Sequence, residues 1–153
     1  MALLPDRKIE TWDLTRKITT VCEPGQFVCH NNAGGSGASV GDTSGTVGVI
    51  AAASSNNKFA GVTEHPHVTL DTTKYDLNRL KHEQLVNRPV TLMTQGFVVT
   101  NQISGTPAIG NDVFLAANGT VSPVQVVGSQ KVGKFESKLD EGGYAKVRFS
   151  TQN

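Results

Sequence analysis

The sequence has little of the chemistry that usually announces a function. One Trp and two Tyr among 153 residues leave few rings on which a sugar or a base stacks. Lys and Arg together number 14 against 13 acidic residues, a formal net charge of +1. That balance gives no basic footprint for a nucleic-acid backbone or an anionic membrane surface. No apolar run reaches the roughly 18 residues of a membrane span. In the N-terminal "MALLPDRKIETWDL", Pro5, Asp6 and Arg7 fall where a secretory signal needs its apolar stretch. Cytoplasmic synthesis without export is the expectation. Cysteine is scarce as well: Cys22 and Cys29 flank "EPGQFV". Two thiols are too few for a zinc site unless histidines join them, and a reducing cytosol keeps them unpaired. With Pro24-Gly25 in a type II turn over Glu23 to Gln26, Cys22 faces Phe27 rather than Cys29. Both cysteines are expected as free, partly buried thiols.

What is present is β pattern and turn chemistry. The length suits one domain with a real core. Residues 1–16 read as an extended N-terminal arm, in which Trp12 and Leu14 alternate with polar neighbours. "ITTVCEPGQFVCH" reads as a hairpin around Pro24-Gly25. Asn31 to Val47 is rich in Gly and Ser and buries little, so a mobile surface loop is expected there. "TVGVIAAAS" and "KFAGVTEH" are β-rich around the turn cluster Ser54 to Asn57, with Val47, Val49, Ile50, Phe59 and Val62 as core candidates. Asp76 to Val86 is the one helical candidate, short enough to be marginal. From Arg88 onward strands alternate with turns at Gln95-Gly96, Asn118-Gly119 and Asp140 to Gly143, a meander of hairpins in which "TVSPVQVV" is one strand. The expectation is an all-β chain: one small β-sandwich or barrel-like domain over 17–153, preceded by the arm.

Each candidate for chemistry fails on spacing. The glycines Gly34, Gly35, Gly37 and Gly41 lack the order of a phosphate loop, and no Gly-Lys-Ser/Thr follows them. "GDTSG" places Thr43 where a serine-protease motif has its nucleophile. His65 and His67, near Glu64 and Asp71, have the i, i+2 spacing of a metal pair, but Pro66 puts them on an edge and no third ligand matches. Asp112, Asp140 and Glu141 stand at strand starts and turns, where Asp caps and Gly supplies positive φ. Asn118-Gly119-Thr120 matches a glycosylation sequon without a secretory signal to use it. The aspartate segment of dUTPase-type hydrolases is missing. No enzyme, cofactor or metal is expected.

The second half carries a resemblance. "PVTLMTQGFVVTNQISGTPAIGNDVFLAANGTVSP", followed by "KVGKFESKLDEGGYAKVRFS", is similar to head-decoration (cement) proteins of tailed bacteriophages, in the podovirus-like group of marine bacteria and cyanobacteria. The matching pieces are Gly96–Val99, Gly105–Gly110, Phe114–Pro123, Val132–Phe135 and Asp140–Val147. Upstream, Asn78, Lys81 and Glu83 fit the group's Asn-x-His-Lys-x-Glu, with Leu80 in place of the histidine. The likeness covers about Phe59 to Ser150, and residues 1–58 follow it only loosely.

The resemblance implies a β-tulip-like structural protein on the outside of an icosahedral capsid. It would be made in the host cytoplasm, form homotrimers, and bind the major capsid protein so as to cement neighbouring subunits against internal DNA pressure. From the arm's composition, Trp12 and Leu14 are the expected apolar anchors. Arg7, Lys8, Arg16 and Lys17 are the expected steering charges. The alternative is a displayed module that attaches virions to host-cell glycans.

Overall fold

The chain is described from a computed structural model. It covers residues 3–4, 13–31, 45–50, 58–64, 69–70, 80–81, 86–87 and 89–151. The strands are β1 (Leu3–Leu4), β2 (Asp13–Ile18), β3 (Phe27–Asn31), β4 (Thr46–Gly48), β5 (Lys58–Thr63), β6 (Thr69–Leu70), β7 (Leu80–Lys81), β8 (Pro89–Met93), β9 (Gln95–Thr100), β10 (Asp112–Leu115), β11 (Val121–Ser122), β12 (Lys131–Phe135) and β13 (Ala145–Ser150). Five strands close a barrel in the order β2-β4-β3-β5-β8, and six form a sheet in the order β1-β9-β13-β12-β10-β11. The all-β reading holds, in a barrel-plus-sheet form.

The barrel is antiparallel except at one seam, where β4 runs parallel to β2. Its interior is aliphatic: Ile18, Val28, Val47, Ala60, Val90 and Leu92, with Cys22 among them. The second sheet curls. Just past β9, Ile103 bridges Val121 of the far edge strand in parallel, and Ser104 N–H donates to the Val121 carbonyl at 2.8 Å. Barrel and sheet share one core. Phe27 and Phe59 of the barrel stack with centroids 5.7 Å apart, and Phe149 of the sheet meets each of them edge-on at 6.0 Å. Around these rings lie Val62, Met93, Val98, Val113, Leu115, Phe135 and Val147.

Three expected turns are found. Gln26 N–H donates to the Glu23 carbonyl and Gly25 takes φ 87°. Thr63 pins this turn to β5: its hydroxyl donates to the Glu23 carbonyl at 2.7 Å, and Gly25 N–H donates to the Thr63 carbonyl. Asn118 and Gly119, at φ 57° and 71°, make the type I′ geometry that Asn-Gly favours. Asp140 organises the last turn, its Oδ1 accepting from the N–H groups of Gly142 and Tyr144 at 2.9 and 2.8 Å.

Four local expectations are corrected. Gln95-Gly96 is not a turn. Both residues lie inside β9, paired with Ser150 and Phe149, and the chain passes from barrel to sheet at Thr94. The strands around Pro24-Gly25 are not partners, because β4 sits between β2 and β3. The C-terminal half is not a pure meander, since β13 inserts between β9 and β12. "TVSPVQVV" is a strand only at Val121–Ser122. Proline ends that strand: Pro123 has no N–H for a ladder, and the residues after it turn away.

Within the helical candidate, Leu80–Lys81 form a strand paired to Thr69–Leu70, and the rest of 76–85 lies outside the described residues, as do His65, His67 and 51–57. The Gly/Ser-rich loop also lies outside them, apart from its ends: Asn31 belongs to β3, and Thr46 and Val47 belong to β4.

Candidate interaction surface

Among the described residues, no group of three or more His, Cys, Asp or Glu is placed to hold a metal, and no helix is long and apolar enough to cross a membrane. Of the acidic residues singled out by sequence, Asp112 and Asp140 have structural partners. Asp112 pairs with Lys131 at 2.8 Å, Asp140 caps its turn, and Glu141 is exposed beside it. Cys22 and Cys29 are free and buried. Burial pushes both thiols up to about 12, with the Glu23 charge adding to the effect at Cys22.

Of the arm residues expected to make contacts, Arg7, Lys8 and Trp12 lie outside the described residues. The structure brings Leu14, Arg16 and Lys17 together on β2, opposite Leu92, Val90 and Pro89 of β8. Lys17 is exposed and Arg16 half-buried. A Cβ on Gly45 would sit 3.1 Å from the Arg16 guanidinium, so glycine leaves room for that group. Partial burial lowers the His30 pKa below its usual value, and the Arg16 charge lowers it further. Leu3–Leu4 pair with Val99 and Thr100 on the edge of the curled sheet.

Sequence reasoning missed a second surface. Val127 is 96% exposed, Val124 68%, Ile109 66% and Val126 51%. Ile109 precedes β10 and Val124 follows β11. These strands are antiparallel neighbours, so both residues leave the hairpin at the end opposite its Asn118-Gly119 turn. The valine loop is tied down from below. Ser129, itself buried, donates its hydroxyl to the Val126 carbonyl at 2.7 Å, and Val124 N–H donates to Ser122 Oγ at 3.0 Å. The signal was legible in part: Pro123 breaks the strand, and Gly128 takes φ 82°.

Comparison with known proteins identifies a family. Residues 14–150 match the family described as structural cement protein (E217 gp24/Pam3 gp6). The match begins inside β2, so it takes in the barrel as well as the curled sheet. A search of curated proteins found no match. The chain therefore belongs to the phage structural cement proteins, a family of structural, capsid-stabilising components of the virion.

Proposed function

We propose that this chain binds the outer face of an assembled icosahedral capsid and bridges neighbouring major-capsid subunits as a homotrimer. The observation that carries the reading is the family match across 14–150, which spans both the barrel and the sheet. The physics needs no reacting group. A protein that binds only the assembled lattice stabilises it by mass action, about 2.7 kcal/mol per site at 100 times the dissociation constant. Contact with several subunits adds effective concentration. A core shared between barrel and sheet supplies a stiff body through which load is carried across a seam.

The arm ahead of β2 is the proposed capsid grip, with Trp12 as apolar anchor and Arg7 as steering charge, and exposed Lys17 at the foot of the strand. Leu14 and Arg16 belong to β2 itself, so a truncation that tests the grip must end before Asp13. Co-sedimentation tests the whole reading. Purified protein should pellet with assembled empty capsids and not associate with unassembled capsid subunits. Removal of residues 1–12, which takes Arg7 and Trp12 together, should weaken pelleting while the β-sheet circular dichroism remains. Binding to a glycan array without retention on capsids would replace this reading with the display alternative.

A further inference from the structure

One end of the barrel gathers cations from three strands. His30 of β3 lies directly opposite Lys58 of β5 and, on its other side, opposite Val47 of β4. Val28 and Val47 fill the barrel interior. Side chains alternate between the faces of a strand, so His30, two residues beyond Val28, is on the interior face of β3. Lys58 shares that face as its cross-strand neighbour. On β2, Ile18 fills the interior, and Arg16, two residues before it, takes the same face. His30 and Lys58 are exposed, so the cluster stands at the mouth of the barrel.

Arg16 is the unusual member. Its Nε is buried without a hydrogen-bond partner. None of the three cations has an ion-pair partner among the described residues. Gly45, just before β4, admits the guanidinium: a Cβ there would come 3.1 Å from Nη1 and 3.3 Å from Cδ and Cζ. The Arg16 charge is felt at His30, whose pKa is lowered first by partial burial and then by Arg16. Lys58 is the other cation facing His30, while β4 presents Val47 there and β8 lines the interior with Val90 and Leu92. Drawing a guanidinium out of water with no counterion is unfavourable, and like charges beside it add repulsion. An oxyanion relieves both, because it neutralises the cluster and accepts from the guanidinium fork.

We infer that Arg16, His30 and Lys58 form an oxyanion site at the mouth of the barrel, and that its ligand is a tetrahedral dianion of the phosphate or sulfate kind. Arg16 and Lys58 supply two permanent charges to match the dianion, and His30 adds a third as pH falls. The site stands apart from capsid attachment, which is measured separately.

Sulfate is the probe, because it stays doubly charged from pH 5 to 8. The four histidines are titrated by NMR in sulfate and in chloride of matched ionic strength, with His30→Gln assigning the His30 signal. Sulfate should raise the His30 pKa saturably by about one unit and leave His65, His67 and His82 where chloride leaves them. By linkage, sulfate should then bind about tenfold more tightly at pH 5 than at pH 8. Arg16→Gln should abolish the sulfate-specific shift. So should Lys58→Gln, at an exposed residue, which keeps the test decisive if Arg16→Gln does not fold. Lys17→Gln, which removes an exposed cation beside Arg16 on β2, should keep the shift. A His30 pKa that rises no more in sulfate than in chloride overturns the inference. So does a shift common to all four histidines, one that survives Lys58→Gln, or one that Lys17→Gln abolishes equally. Acetate that saturates the His30 shift at a lower concentration than sulfate overturns the dianion and makes the ligand a carboxylate.

Discussion

Gly133 offers the sharpest test of the packing. It lies in β12 opposite Phe149 of β13. A Cβ there would press into the Arg148 carbonyl oxygen, inside van der Waals contact, and come 2.8 Å from Phe149 Cα. Both obstacles are backbone atoms of a strand paired on either side, to β12 and to β9. Neither can swing away as the tip of a long side chain would. Overpacking a core costs about 1–3 kcal/mol where side chains yield. A backbone obstacle places Gly133→Ala near the top of that range. In a chain of this length about 1 kcal/mol shifts Tm by about 2–4 °C, so a loss of roughly 6–12 °C is expected. Thermal unfolding followed by circular dichroism reads it. Lys134→Ala, the exposed next residue, is the control and should change stability by less than about 0.5 kcal/mol. A Gly133→Ala protein melting within about 2 °C of wild type would refute the close approach of β12 and β13.

Further outcomes follow from the same contacts. Asn118-Gly119 to Ala-Ala should lower Tm in the same assay, because both positions hold positive φ at about 1–2 kcal/mol each for alanine. Thr63→Val should cost about 1–3 kcal/mol in urea unfolding, since it strips the turn at Glu23 to Gln26 of a buried hydroxyl partner. Cys22 and Cys29 should not react with a thiol reagent at pH 8 in the folded protein and should both react in denaturant, because their thiols are pushed up to about 12. His30 has a folded pKa below its unfolded value near 6.5. The unfolded state then binds more protons below that pH, so stability falls as pH drops through it. A His30→Asn protein should show a shallower fall between pH 6.5 and 5 in unfolding experiments, whereas an identical slope would contradict the assignment.

The sequence was readable wherever a structure is set by a few adjacent residues. Pro24-Gly25, Asn118-Gly119 and Asp140 to Gly143 each carry their turn in their own backbone preferences. It was opaque wherever partners are remote. Nothing local says that β4 inserts beside β2, or that β13 comes between β9 and β12. Gln95-Gly96 misled because alternation looks the same whether a strand turns back or crosses to another sheet. The glycine there, at φ 140°, serves a strand. The valine loop was missed because "TVSPVQVV" alternates like a strand, and only the fold shows that Val121 is buried while Val124, Val126 and Val127 face outward. Of the arm, the sequence could not show that Asp13 to Arg16 already belong to the barrel.

Cementing is a mechanical role, and heating particles measures it. Virions with and without this protein, otherwise identical, are warmed in steps and DNA release is followed with an impermeant dye. Decorated particles should release DNA at a higher temperature, and re-addition of purified protein to bare particles should restore the difference. Release at the same temperature with and without the protein would contradict a cementing role.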